Sequence, residues 1–129
     1  MDKKEMKQEG CRQVDVLQPV IYEIASYLHA HPELGKQEVL ASSYLRHVLS
    51  AHRFQVEDCV PEAFPTAFHA SYGQGPCHIG FLAEYDALPE LGHACGHNLI
   101  AAMSIGAAIA FANVCGELAT VHVYGCPAE

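Results

Sequence analysis

Between Glu84 and Asn98 the sequence reads Glu84-Tyr85-Asp86-Ala87-Leu88-Pro89-Glu90-Leu91-Gly92-His93-Ala94-Cys95-Gly96-His97-Asn98, with three thiol or imidazole groups close to three carboxylates. Cysteine, histidine and carboxylate are the donors that hold zinc and its neighbours. Cys95 and His97 are two residues apart, so they cannot share one helical face. They can converge from an irregular turn, which Gly92 and Gly96 make easy. A lone Cys-x-His is weak evidence, because the same residues also pack in ordinary loops. A thiol-redox protein using Cys95, activated by His97, is a competing chemistry, although no resolving cysteine lies close in sequence.

The elements that must position these groups follow from periodicity. Val14, Leu17, Ile21, Ile24 and Leu28 step by three and four, as one face of an amphipathic helix does, with Pro19 near the start of its stable part. His31-Pro32-Glu33-Leu34-Gly35 ends that helix, and Ala41, Leu45, Val48, Leu49 and His52 mark a second. The period then shortens: Phe54, Val56 and Val60, then Phe68, Ala70 and Tyr72, predict two half-buried strands. Ile79–Ala83 is apolar on both parities, as expected of a central strand covered on both sides. A small-residue helix over about 98–114 and a strand over Thr120–Tyr124 complete the pattern.

Strand, helix and strand in this order place the two strands parallel through a right-handed crossover. Open α/β sheets bind ligands at the carboxyl edge of such strands. That edge collects Glu84, Asp86, Cys95 and His97 after the first strand and Glu129 after the second. The metal reading gains weight from this position. The fold class expected is α/β, a mixed sheet flanked by helices with a parallel strand–helix–strand unit.

The 129 residues suit one small domain, divided into a polar N-terminal tail over 1–13 and a folded part over 14–129. A formal net charge of −8 disfavours nucleic acid and gives no reason to expect a membrane surface as partner. The opening MDKKEMKQEG has no apolar core and is not a secretory leader. The longest apolar stretch, Leu99–Ala112, falls short of the ~20 residues a bilayer needs. Six cysteines without a CxxC fit a reduced, cytoplasmic setting.

The string EYDALPELGHACGHNLIA resembles the signature of the aminoacylase and glutamate-carboxypeptidase-like metallopeptidases, peptidase family M-twenty. It looks most like the amidohydrolase branch holding hippurate hydrolases, auxin-conjugate hydrolases and p-aminobenzoyl-glutamate hydrolase. His31–Gly35 and Gly125-Cys126-Pro127-Ala128-Glu129 agree with further motifs of that family in the same order, so the resemblance covers nearly the whole chain from 31 to 129. It implies that Cys95 bridges two divalent metal ions, that His97 is a terminal ligand to one of them, and that Asp86 supports the site from beside it. Glu129 matches the first of two adjacent glutamates in a GTPAEE-like motif, the general base. Glu84, His93 and Asn98 are candidates for the rim or for support behind the ligands.

Asn98 and Glu84 stand where many members carry aspartate, and both departures resemble the β-alanyl-lysine dipeptidase type and its bacterial relatives. The family also needs a second glutamate, two further histidines and a lid or dimerisation domain downstream of Glu129. The chain is therefore expected to be an incomplete fragment, inactive alone, of an enzyme that forms a homodimer when full-length. The implied reaction is hydrolysis of an amide bond in an N-acyl amino acid or dipeptide-like substrate, with zinc favoured and manganese or cobalt admissible. The alternative is a non-catalytic binding or regulatory fragment of the same fold.

Overall fold

A computed structural model describes all residues, 1–129. The elements run α1 (Lys3–Val16), α2 (Gln18–Ala30), α3 (Val39–Ala51), β1 (Gln55–Val60), β2 (Phe64–Tyr72), β3 (Cys77–Glu84), α4 (His97–Cys115) and β4 (Ala119–Cys126). The polar stretch 1–13 is helical and not a bare tail. Asp2 accepts from the Glu5 amide while the Glu5 side chain accepts from the Asp2 amide, a reciprocal cap that satisfies two orphan donors. No residue of α1 is fully buried, but the helix lies against α4, where the Asn113 side chain donates to Gln13 Oε1 at 3.0 Å.

Leu17 closes α1 and opens α2, with Pro19 in the first turn, where its missing N–H costs nothing. Of the predicted stripe, Leu17, Ile24 and Leu28 are buried, but Val14 lies on α1 and is exposed. Helix α3 has no side-chain cap from its own first residue. Instead the Glu33 carboxyl accepts from the amides of Leu40 at 3.0 Å and Ala41 at 2.8 Å, placing negative charge at the positive end of the helix.

The sheet has the order β1-β2-β4-β3, with β1/β2 and β2/β4 antiparallel and β3/β4 parallel. The unit β3–α4–β4 is thus the expected parallel strand–helix–strand. Phe68 and Ala70 are buried as their parity predicts. Val60 is not, because the register shifts between Asp58 and Val60 and turns that end of β1 outward.

Strand β3 departs from expectation. It is an edge strand, and Gly80 and Leu82 on one face are exposed while Ala83 on the other is buried. Helices α3 and α4 pack on one face of the sheet; an apolar run alone does not say that both faces are covered.

Helix α4 is 19 residues with mean hydropathy 1.7, long and apolar enough by length and composition alone to cross a membrane. That corrects the shorter span read from Leu99–Ala112, which omitted its polar first turn and its last turn. Here Ala101, Ile105, Ala108 and Ile109 are buried in the core cluster. Gly106 lets α2 approach closely: a Cβ there would meet the Ile21 side chain at 2.7 Å.

The opposite face of the sheet carries a row of histidines that had no sequence pattern. His69 on β2, His122 on β4 and His78 on β3 join ring to ring at 2.8 and 2.9 Å, and His69 Nδ1 meets Glu57 on β1 at 2.9 Å. Neutral rings satisfy the whole row, each donating from Nδ1 to the next acceptor and finally to Glu57. Burial, then neighbouring His69 and His78, holds the His122 pKa below its ordinary value; Glu57 and the stacked Tyr124 complete its surroundings.

An imidazole with a lowered folded-state pKa binds its proton more readily when unfolded. His122 therefore contributes its stability in full above its ordinary pKa of about 6.5 and loses it as pH falls through the lower folded-state value. His122→Gln should flatten the drop in urea midpoint between pH 7.5 and pH 5 relative to the parent chain. An unchanged drop would show that protonation of His122 is not linked to folding.

Candidate metal centre

The site begins where β3 ends. Tyr85 is fully buried, stacks on Phe68, and donates its hydroxyl to the Thr66 carbonyl. Burial, with the Glu38 carboxyl nearby, pushes that phenol well above its usual range. In extended chain, neighbours alternate sides, so anchoring Tyr85 inward places Glu84 and Asp86 together on the other side.

The chain then turns through 87–96. The Ala87 amide donates to the Glu33 carbonyl at 2.7 Å, and Leu34 bridges Ala87, so the His31–Gly35 segment braces this loop. Gly92 and Gly96 adopt left-handed φ values of 62° and 88°, conformations that glycine accepts readily. Glu90 shares that region at 64° and is exposed, a rim residue. Gly96 caps α4 and makes His97 its first residue.

His97 Nδ1 lies 2.9 Å from Asp86 Oδ1 and 3.0 Å from the Asp86 carbonyl oxygen. Two acceptors at Nδ1 place the proton there and turn Nε2 toward any ion, the arrangement by which a carboxylate orients a metal-binding histidine. Nε2 lies 3.1 Å from Glu84 Oε2. One imidazole between two carboxylates is a concentration of acceptors and negative charge that suits a cation.

Glu129 arrives from the end of β4. Its amide donates to the same Asp86 Oδ1 at 3.2 Å, joining positions 43 residues apart. Burial first, then the carboxylates of Glu129 and Glu84, raises the Cys126 thiol pKa.

The predicted residues are thus partly assembled. Glu84, Asp86, His97 and Glu129 meet through Asp86 and His97, while Cys95 sits exposed in the turn before α4. His93 is buried behind it, and its Nδ1 has no partner; burial, then His97 and His29, lowers its pKa. Of the two places expected for Asn98, it does not stand at the rim: it is buried and donates to the Ala25 carbonyl on α2, because the first helical turn carries it toward the core. His31 ends α2 as expected, stacked on Tyr27.

The donors fit a divalent ion in kind, a thiol, an oriented imidazole and flanking carboxylates, with an orphaned buried imidazole nitrogen close by. Yet no group of three or more His, Cys, Asp or Glu side chains is arranged to hold an ion.

Sequence reasoning missed Glu33, Tyr85 and Glu38. An acidic residue shortly before a helix was the available signal for Glu33. The other two act through contacts between distant segments and left no local signature.

No protein-family model matches the sequence. Among curated proteins, it is 36% identical over 127 residues to one of the subunits of p-aminobenzoyl-glutamate hydrolase from Escherichia coli, an alignment covering 83% of this chain and 26% of that protein. It is 32% identical over 138 residues to the Xaa-Arg dipeptidase of Mus musculus, covering 96% of this chain and 32% of that protein. The chain therefore spans about a third or less of the length of these relatives.

Among solved structures it matches a dinuclear metal-binding peptidase of the M-twenty family from Bacillus subtilis. The TM-score is 0.75 at 29% identity, over 89% of this chain and 36% of that one. An aminobenzoyl-glutamate utilization protein from Klebsiella pneumoniae shares the fold, with a TM-score of 0.71 at 15% identity over 94% of this chain and 39% of that one.

Removing a group that orients a metal-binding histidine typically weakens metal binding about 10–100-fold. Asp86→Ala should lower the zinc affinity of this chain by that factor, and His97→Ala by at least as much, read by competition with a chromophoric chelator. Equal affinities in parent and both variants would remove Asp86 and His97 from the site.

Proposed function

This chain is homologous to the M-twenty hydrolases and dipeptidases, and from that premise we propose that it forms the N-terminal part of a metal-dependent amidohydrolase acting on an N-acyl amino acid or dipeptide-like substrate. The observation that carries the reading is the shared acceptor: Asp86 Oδ1 receives both the His97 ring and the Glu129 amide. It sets a candidate metal ligand beside a free carboxylate, the pair that water-mediated hydrolysis requires.

Cys95 and His97 would hold two divalent ions together with ligands from the remainder of the longer enzyme. The thiolate leans toward zinc, with manganese or cobalt admissible. When bound, the ions supply Lewis acidity and a water of lowered pKa. Asp86 fixes the His97 tautomer. Glu129 takes a proton from the attacking water as its oxygen adds to the amide carbonyl, then returns that proton to the amine nitrogen as the C–N bond breaks. A depression of about 330 Å³ lined by Pro32, Leu34, Ala87, Leu88, Glu90 and Gly92 begins one residue beyond Asp86 and offers an apolar wall for a substrate side chain. Six free cysteines agree with a reduced, cytoplasmic setting.

A general base contributes about 10²–10⁴ in rate, or roughly 3–5 kcal/mol of barrier. In the full-length hydrolase Glu129→Gln should lower kcat by that range and leave KM and metal content near the parent values, measured on N-acyl amino acids and dipeptides. Near-normal kcat would make Glu129 a solvated loop residue, and loss of metal together with activity would make it a ligand.

A further inference from the structure

Glu38 is the only fully buried acidic side chain in the molecule, with 0% exposure. It is the N-cap residue of α3, but its side chain makes no capping bond to the helix. Its two oxygens turn instead toward two other segments: Oε1 accepts from the Thr66 hydroxyl on β2 at 3.2 Å, and Oε2 accepts from the Ala128 amide at 2.7 Å. Burying a carboxyl group is costly unless its hydrogen bonds are made, so a side chain placed this way holds its partners tightly. The second of those partners lies 90 residues away in sequence, immediately before Glu129.

Ala128 is in the left-handed region, φ 58°, a conformation that an L-residue with a Cβ adopts only at a cost. Something must hold it there. Besides the Glu38 bond, Gly35 presses against it: a Cβ on Gly35 would meet Ala128 Cα and Cβ at 3.1 Å. The next amide, of Glu129, is held by Asp86. Two successive peptide N–H groups are thus gripped by two buried carboxyl groups from opposite sides of the chain, one leading back to His97 and the other to the loop before α3. The left-handed residue between them sets the direction in which the Glu129 side chain leaves the backbone.

We propose that Glu38 is a positioning residue for Glu129: by holding the Ala128 amide it fixes the backbone from which the general base reaches the reacting water. The inference rests on the reading of Glu129 as that base. It assigns no contact between Glu38 and substrate or metal.

The test uses the full-length hydrolase with Glu38→Met, which keeps the bulk and removes both acceptors, and Glu38→Gln, whose amide can donate to Thr66 Oγ1 while its oxygen still accepts from Ala128. A misplacement of about 1 Å can cost 10²-fold in rate. Glu38→Met should therefore lower kcat by about 10–100-fold, leave KM and metal content unchanged, and speed hydrogen exchange at the Ala128 amide but not at Val121 or Val123. Glu38→Gln should restore most of kcat and the slow exchange. If Glu38→Met does not fold, Glu38→Asp, with the carboxyl withdrawn by one methylene, should show the same split. Normal kcat in Glu38→Met or Glu38→Asp, while Glu129→Gln is inactive, overturns the positioning role. Normal kcat in Glu129→Gln overturns the base assignment instead, whatever exchange at Ala128 shows.

Discussion

The Asp86 carboxyl group is the point on which this structure turns. It is buried, it follows directly from the last residues of β3, and it accepts from both the first side chain of α4 and the last amide beyond β4. A buried acceptor of this kind is costly unless it is satisfied, so the two segments that donate to it are held in register with the end of β3. If Asp86 moved, the crossover unit would keep its strands, but its carboxyl edge would lose the alignment of His97 with Glu129.

The rest of the N-terminal half braces that edge. The His31–Gly35 segment ends α2, caps α3 through Glu33, pairs with Ala87 and packs Gly35 on Ala128. A short, Pro- and Gly-bearing loop is thereby in contact with the loops after both β3 and β4. Tyr85 locks the same region from inside, its ring in the core and its hydroxyl on β2. Packing and polar satisfaction act on the same residues here, which makes a short loop cluster rigid enough to hold a site.

No three of the candidate donors are arranged to hold an ion within these residues. Strand β3 is an edge strand, one face of the sheet is largely uncovered, and Cys95 stands exposed at the mouth of the turn. The chain matches less than two-fifths of the length of each of these related proteins. Within these residues the Cys95 thiol is exposed, and the His97 ring lies between Asp86 and Glu84.

Much of the architecture was legible from periodicity. The stripe from Leu17 to Leu28, the second from Ala41 to Leu49, the parity of Phe68 and Ala70, and the parallel unit ending at Glu129 all follow from which positions are apolar and at what spacing. The residue types between Glu84 and His97 marked the candidate site only together with their place at the carboxyl end of a strand and the family resemblance of the whole string. Three things needed the tertiary structure. Periodicity describes one segment against an unspecified neighbour, so it could not show that β3 has a bare face or that a bulge turns Val60 outward. A capping box satisfies its bonds within one turn and is local, yet polarity hid the helix at the N-terminus. Glu38 and the histidine row were out of reach of sequence because their meaning lies in hydrogen bonds across 90 and 53 residues. No spacing rule records such contacts, since folding alone decides which distant polar groups meet.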